Sequence, residues 1–275
     1  CRSGVAARTI LIMPWATNPF FSRQQQLPQE VASDSDVDPE AGSQAHDVAS
    51  VRTGFQEPST KLTGYQLFYL FGLDGVGAFI LSGGINFAIA YAMYTTQQYT
   101  AKNMIRLFQL PNTLAGDMAV TIFIQCIITW LVELILVNRD LKSGGVQAIG
   151  FLPEPTNRLV RWYMFLDRAE DTHDKGGFRH WLSFLGSQVV RALISVVPCF
   201  VLLFGPSIGF LTLVGTPIPW GRVQDWTYAT KWAPQIFKLL LGGVLSLLTG
   251  PAFAAFWLVR CGWALQKNEA RYGQS

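Results

Sequence analysis

One apolar segment of the chain carries polar side chains at a regular spacing, and these residues are of types that could support chemistry. The segment covers residues 114–137, and its polar residues recur at every fourth position: Asp117, Thr121, Gln125, Thr129 and Glu133. The two carboxylates could accept protons or cations, while Gln125 would offer a polar contact near the middle of the segment. Because polar groups inside a membrane span are costly and often functional, this polar stripe is the best functional lead in the sequence.

Two interpretations of the polar stripe are open. In the first, the stripe lines a path for an ion, a proton or a lipid headgroup. In the second, which we favour, it packs helices together through hydrogen bonds. Asp117 and Glu133 lie near opposite ends of the segment, where they could meet headgroups or water. Each four-residue step on a straight helix drifts by about 40°, so the stripe follows a packing ridge as a slow spiral.

A second group of residues with catalytic types lies in the segment DRAEDTHDKGGFRH, residues 167–180. Its carboxylates could bind a divalent cation, and His173 or His180 could act as a base. The carboxylates alternate with Lys and Arg, as they do on solvated surfaces, and the chain has no HExxH, P-loop, GxSxG or CxxC motif. We therefore predict no catalytic residues, no cofactor and no metal site, and we do not expect an enzyme.

The composition is that of a membrane protein, since 50% of the residues are hydrophobic and only 14% are charged. Four apolar blocks, at about 73–94, 114–137, 192–213 and 236–258, approach or exceed the roughly 20 residues that cross a bilayer. We predict an all-α integral membrane protein with about four transmembrane helices, whose surroundings are the lipid bilayer. The net charge is only +3 and the basic residues form no stripe, which argues against nucleic acid as a partner.

Two series of small residues indicate where helices could approach one another closely. The first block contains Gly84, Ala88 and Ala92, and the fourth contains Gly242, Ser246, Gly250 and Ala254. Small side chains at four-residue spacing form grooves for a neighbouring helix. We predict that the fourth block packs against the polar stripe and places Gln125 near Ser246.

The chain divides into three regions by composition. Residues 1–60 are predicted to be a disordered tail, 61–262 a four-span membrane domain, and 263–275 a short C-terminal tail. Within the membrane domain, the middle loop at about 138–191 contains RLVRWYMFLDR and FRHWLSFLGSQVVR, which we expect to form interfacial amphipathic helices. Pro198 and Pro206 predict a kinked or broken third span. The sequence does not begin with Met, which leaves open whether it is a fragment or a processed form.

The distribution of basic residues predicts the orientation. The middle loop and the C-terminal tail carry more Lys and Arg than the two connectors on the opposite side. By the positive-inside rule, we place the middle loop and both termini in the cytoplasm. Isolated charges near span ends, at Asp74, Arg191 and Lys238, are interpreted as interface anchors with snorkelling side chains.

Three stretches of the sequence resemble a fungal family of small multipass membrane proteins of unknown function: GAFILSGGINFAIAYAMY, RLFQLPNTLAGDMAVTIFIQCIITWLVE and GFLPEPTNRLVRWY. The resemblance covers roughly residues 65–260, and its most distinctive part is LPNTLAGD with Gln125 and Glu133. It implies a fungal origin and an intracellular membrane, but it implies no activity.

Three classes of function remain open. A structural or accessory subunit of a membrane complex, with a membrane-protein partner or as a homo-oligomer, is favoured by the small-residue series and the lack of a catalytic set. A small transporter or channel is favoured by the polar stripe, although four spans are few and oligomerisation would be needed. A lipid-modifying enzyme that uses the segment 167–180 is the third class.

Overall fold

The computed structural model of the protein describes residues 56–95, 104–110, 112–166, 178–228 and 232–272. The described chain is mostly helical, and its helices in chain order are α1 (Gly64–Thr95), α2 (Leu114–Lys142), α3 (Arg158–Tyr163), α4 (Phe178–Val214) and α5 (Ala233–Tyr272). Four of them, all but α3, are long and apolar enough to cross a membrane. The predicted helical architecture with four long apolar helices is therefore present. Most of the predicted disordered tail lies outside the described residues.

The long helix α1 is not uniform along its length. It begins with a capping box, in which Thr63 Oγ1 accepts from the Gln66 backbone N–H at 3.1 Å and Gln66 Oε1 accepts from the Thr63 N–H at 3.0 Å. The next segment, Phe68–Gly77, is a π-helix, and the α-helix resumes at Ala78. A π-helix is rare and is often found at functional sites, which the sequence gave no reason to expect here.

Two helices continue through positions where the sequence predicts an interruption. Helix α4 contains Pro198 and Pro206 and is not broken at either, and the predicted interfacial helix FRHWLSFLGSQVVR forms its first part. Helix α5 contains Pro251 and extends to Tyr272, past the boundary expected at residue 262. Each proline removes only one backbone N–H donor. The other backbone groups of an apolar segment are still best satisfied by hydrogen bonds within a helix, so the helix continues.

A β-hairpin joins α4 to α5, so the prediction of an all-α chain is wrong at this connector. Its strands β1 (Thr216–Trp220) and β2 (Val223–Thr227) pair antiparallel, with Thr216 opposite Thr227. The two-residue turn places Gly221 at φ +60, which a glycine adopts without strain. Pro217 and Pro219 are two residues apart, so both can lie where the missing N–H would point to the edge of β1 that pairs with no described strand.

The chain forms two compact units, and the larger one comprises Leu62–Asp140 and Phe184–Leu258. Helix α2 is central to this unit. Its Trp130 ring packs edge-on against Phe253 and Trp257 of α5, with centroid distances of 5.1 and 5.3 Å. The same indole donates from Nε1 to Gln188 Oε1 of α4 at 3.0 Å. One aromatic residue thus contacts two other long helices.

Among the described residues, the smaller unit comprises 56–61, 141–166, 178–183 and 259–272. In its described part, the last turns of α5 hold the segment around residue 150: Trp263 Nε1 donates to Leu152 O at 2.6 Å and Gln266 Nε2 donates to Gly150 O at 2.7 Å. Gly262 lies against the Ile149 carbonyl, where a side chain would have no room. The six-residue helix α3 belongs to this unit, and its Leu159 and Trp162 are exposed.

Candidate functional site

Gln125, at the middle of the polar stripe, is buried and bonded to two other helices. Its Nε2 donates to Gly242 O at 2.7 Å and to Ser246 Oγ at 2.9 Å, both on α5. Its Oε1 accepts from Asn86 Nδ2 of α1 at 2.9 Å. The predicted proximity of Gln125 and Ser246 is therefore confirmed, and Asn86 adds a third helix to the same group.

A close approach of the backbones makes this group possible. Gly242 is buried, and a Cβ at this position would collide with the Asn86 side chain. The hydroxyl of Ser82 also donates to Gly242 O, at 3.2 Å. Glycine at position 242 of α5 thus leaves its backbone carbonyl open to Ser82 of α1 and to Gln125 of α2.

Asp117, at the first turn of α2, forms an ion pair with Lys238 of α5. Lys238 Nζ lies 2.7 Å from Asp117 Oδ1, and it also donates to Thr121 Oγ1 at 2.7 Å. Tyr94 of α1 donates from its hydroxyl to Asp117 Oδ2 at 3.0 Å, and Thr121 Oγ1 donates to Asp117 O at 2.7 Å. Two consecutive members of the stripe therefore hold one lysine, and again three helices take part.

The interpretation of Asp74, Arg191 and Lys238 as snorkelling interface anchors is wrong. Each is buried within the chain, and the Lys238 side chain is only 4% exposed. Helices α2 and α5 run parallel, since residue numbers rise together along both in three contacts: 117 with 238, 125 with 246 and 130 with 253. Asp117 and Lys238 therefore both lie close to the start of their helix. Opposite charges at matching depths in the second and fourth spans were the signal that could have found this pair.

The last two members of the stripe lie apart from these groups. Thr129 is half-buried. Glu133 is 4% exposed, and along α2 it lies between two contacts with α1, Gln125 with Asn86 and Asp140 with Tyr69. Tyr69 donates from its hydroxyl to Asp140 Oδ2 at 2.9 Å. Among the described residues, Asp74 Oδ2 and Glu133 Oε2 are buried oxygens without a hydrogen-bond partner. The stripe therefore serves separate polar groups and does not form one continuous row.

The two series of small residues differ in where they lie. Gly242, Ser246, Gly250 and Ala254 are all buried, and Gly250 packs against the backbone oxygen of Asp74. By contrast, Gly84, Ala88 and Ala92 are exposed, and a Cβ at Gly84 would meet no atom within 4 Å. Helix α1 instead buries Gly83, Asn86, Ala90 and Tyr94. Asn86 and Tyr94 form hydrogen bonds with Gln125 and Asp117 of the polar stripe. The face of α1 that contains them is therefore buried, and the face with Gly84 is exposed.

At the end of the larger unit that holds the two connectors, a buried carboxylate organises the backbone. Asp225 of β2 accepts from the backbone N–H groups of Phe108, Gln109 and Trp226, at 3.1, 3.2 and 2.8 Å. Nearby, Tyr228 donates to Leu211 O at 3.0 Å, and burial together with the Asp225 charge raises the pKa of this phenol. The first and third connectors thus lie side by side, as four alternating spans require.

The acidic segment with His173 lies outside the described residues, so its catalytic interpretation stays untested. Among the residues that the structure describes, no group of three or more His, Cys, Asp or Glu side chains is placed to hold a metal ion. The chemistry of the described site consists of hydrogen bonds and one ion pair between helices, together with a pair of carboxyl groups that have unpartnered oxygens.

Comparison with known proteins gives a family without an assigned activity. The family described as "Protein of unknown function (DUF2456)" matches residues 161–258. An uncharacterized protein of Saccharomyces cerevisiae is 47% identical, over 67% of this chain and 75% of the relative. One of Schizosaccharomyces pombe is 40% identical over 61% of this chain, which spans only about a third (32%) of that relative. No solved structure matches. The chain belongs to this fungal family of proteins of unknown function.

Proposed function

We propose that this protein is an integral membrane protein whose helices α1, α2, α4 and α5 cross an intracellular membrane, and that it is a structural or accessory subunit of a membrane complex. The observation that carries the accessory role is the use of the polar stripe. The Gln125 amide forms hydrogen bonds with Asn86, Gly242 and Ser246, and the Asp117 carboxylate is paired with Lys238. Polar groups occupied in this way hold helices together and leave none of these side chains to line an open path.

The outward surface supports the membrane placement. Only 11% of the most apolar stretch of α4 is buried within the chain, against 56% for α5. The exposed side chains of α4 are large and aliphatic, with Val201 at 71% and Leu213 at 86% exposure. A surface of this size and kind is unfavourable in water and needs lipid or another apolar partner to cover it.

The outward small residues of α1 support a neighbouring protein in the membrane. Gly84 and Ala88 leave room for a second helix to approach, and no helix among the described residues occupies that room. In lipid, close approach over small residues is a main source of helix association. A partner membrane protein or a second copy of the chain fits this face.

Native purification tests the proposal. The protein would be isolated in mild detergent from its own membranes, and the intact particle would be weighed by native mass spectrometry. A stoichiometric foreign subunit, or a homo-oligomer, that is lost in Gly84→Leu and kept in Gly64→Leu supports the accessory role. A monomer of unchanged mass in both variants contradicts it. Extraction of the protein by alkaline carbonate would contradict the membrane placement itself.

The proposed orientation has the termini and the middle loop in the cytoplasm, and it follows from the Lys and Arg distribution. Single cysteines introduced at Gly221 and at Glu154 would be labelled from one side of sealed vesicles with a membrane-impermeant maleimide. Labelling of Glu154→Cys in cytoplasm-facing-out vesicles, with Gly221→Cys protected, agrees with the proposal. The reverse pattern overturns it.

One observation favours transport as a second candidate function. The unpartnered oxygens of Asp74 and Glu133 are not explained by helix packing alone. A transporter that used the whole stripe would lose flux in Gln125→Leu, whereas an accessory subunit would keep its complex. The third candidate, a lipid-modifying enzyme, depends on the segment 167–180, and activity lost in His173→Ala would favour it.

A further inference from the structure

We propose that Asp74 of α1 and Glu133 of α2 form a proton-binding site, in which at least one of the two buried carboxyl groups carries a proton. Asp74 is 7% exposed and Glu133 is 4% exposed. One oxygen of each, Asp74 Oδ2 and Glu133 Oε2, is buried and accepts no hydrogen bond from any described residue. A buried carboxylate oxygen without a donor is costly, and a proton is the smallest ligand that removes the cost.

The charges around the pair also favour a bound proton. The contacts between α1 and α2 on either side of the pair, Tyr69 with Asp140 and Asn86 with Gln125, bring no positive charge to it. Lys238 of α5 is paired with Asp117, and Arg191 of α4 donates to the Ser187 carbonyl. Two negative charges at buried positions of neighbouring helices repel each other because the surroundings screen them poorly.

The backbone of α1 is unusual at this point. Tyr69 and Asp74 both lie in the π-helical segment Phe68–Gly77, where the wider turn changes the direction of side chains relative to an α-helix. On the opposite side, Gly250 of α5 lies against the Asp74 backbone oxygen and permits close contact there. The π-helix and the glycine therefore hold Asp74 in a position where its side chain is buried.

The chemistry of the site is proton uptake and release. One carboxylate takes a proton from water and becomes a neutral carboxylic acid, which removes the cost of a buried charge without a donor. No other bond is formed or broken. A metal ion is the less suitable ligand, since the described residues provide no third ligand in a metal-binding arrangement. The proposed proton site lies within one chain and needs no partner subunit.

Infrared difference spectroscopy on the full chain in lipid nanodiscs tests the site, because a protonated carboxyl has a carbonyl stretch distinct from that of a carboxylate. We expect the wild type to show this band at neutral pH, to shift it in D₂O and to lose it at alkaline pH. The double variant Asp74→Asn/Glu133→Gln should lack the band at neutral pH. Glu154→Gln, at an exposed carboxylate paired with Arg161, is the control and should keep it.

Thermal unfolding provides the second measurement. The double variant carries neutral side chains of the same shape as the protonated pair, so it should fold and keep its melting temperature as the pH rises. The wild type should lose stability over the pH range in which the band disappears. A wild type that lacks the band near neutral pH, or that matches the double variant at all pH values, overturns the proposal. Neither result bears on a partner subunit.

Discussion

Lys238 Nζ lies 2.7 Å from Asp117 Oδ1, so the ammonium of the fifth helix is neutralised by the second helix inside the larger unit. The lysine is nearly inaccessible, whereas the aspartate side chain keeps 14% of its surface exposed. Tyr94 on the other side of the carboxylate completes the contact with α1. This pair and the Gln125 group lie two turns apart on α2, and together they fix the register of three helices.

Breaking the ion pair on one side should destabilise the protein. Lys238→Met leaves Asp117 without its cation, and losing one partner of a buried pair costs about 3–5 kcal/mol. We expect a value near the lower end, because Asp117 is partly exposed. The double variant Lys238→Met/Asp117→Leu should recover much of the loss. Reversible unfolding in detergent or nanodiscs measures both.

Lys267→Met is the matched control, since Lys267 is an exposed lysine on the same helix. It should change the free energy of unfolding by less than about 0.5 kcal/mol, as surface substitutions do. Equal effects at Lys238 and Lys267, or a double variant as unstable as the single one, would show that the pair does not couple the helices.

Gln125→Leu should cause a smaller loss. It removes the acceptor of Asn86 Nδ2 and the donor to Ser246 and Gly242. Hydrogen bonds between membrane helices average about 0.6 kcal/mol, and a donor left unsatisfied adds to this, so we expect about 1–2 kcal/mol. Thr129→Val on the same helix, where the side chain is half-buried, should be close to neutral. Unfolding curves for both variants in one lipid composition make the comparison.

The sequence was informative about α2 and less so about its neighbours. The four-residue spacing identified every member of the stripe and the approach of Ser246 to Gln125, because a ridge of polar groups must meet a groove of small ones. The spacing did not reveal which face of α1 turns inward. Gly84 and Gly83 are equally small, and the choice depends on where Asn86 and Tyr94 find their partners, which is a tertiary property.

Other features had weak or absent local signals. The π-helix of α1 changes the direction of Asp74, and hydrophobic periodicity at 3.6 residues per turn does not report such a change. The hairpin has a recognisable Gly221–Arg222 turn, but Pro217 and Pro219 argue against a strand unless one of its edges has no partner. Lys238 was misinterpreted because a lone lysine near a span end usually reaches the interface.

Gly250→Ala and Gly84→Ala should have opposite effects, although both add one methyl group to a long helix. A Cβ at Gly250 would overlap the Asp74 carbonyl oxygen, so the helices must separate, at a cost of about 1–3 kcal/mol. A Cβ at Gly84 meets nothing within 4 Å, and the better helix propensity of Ala should leave the isolated chain unchanged or up to about 1 kcal/mol more stable. The free energy of unfolding of the purified monomer shows whether each variant is less or more stable than the wild type. Equal losses of stability in the two variants would contradict the packing of α1 against α5.

Asp225→Ala should loosen the first connector without unfolding the helices. The carboxylate accepts from the backbone N–H groups of Phe108 and Gln109, and a hydrogen bond to a charged group contributes about 1.5–3 kcal/mol. Hydrogen exchange of these two amides should therefore accelerate about tenfold or more, while amides at the middle of α2 should keep their protection. Asp225→Asn retains one acceptor oxygen and should give an intermediate rate. Unchanged exchange at residues 108 and 109 in the alanine variant would mean that the β-strand pairing alone holds the connector, since Leu107 also donates to the Trp226 carbonyl at 2.9 Å.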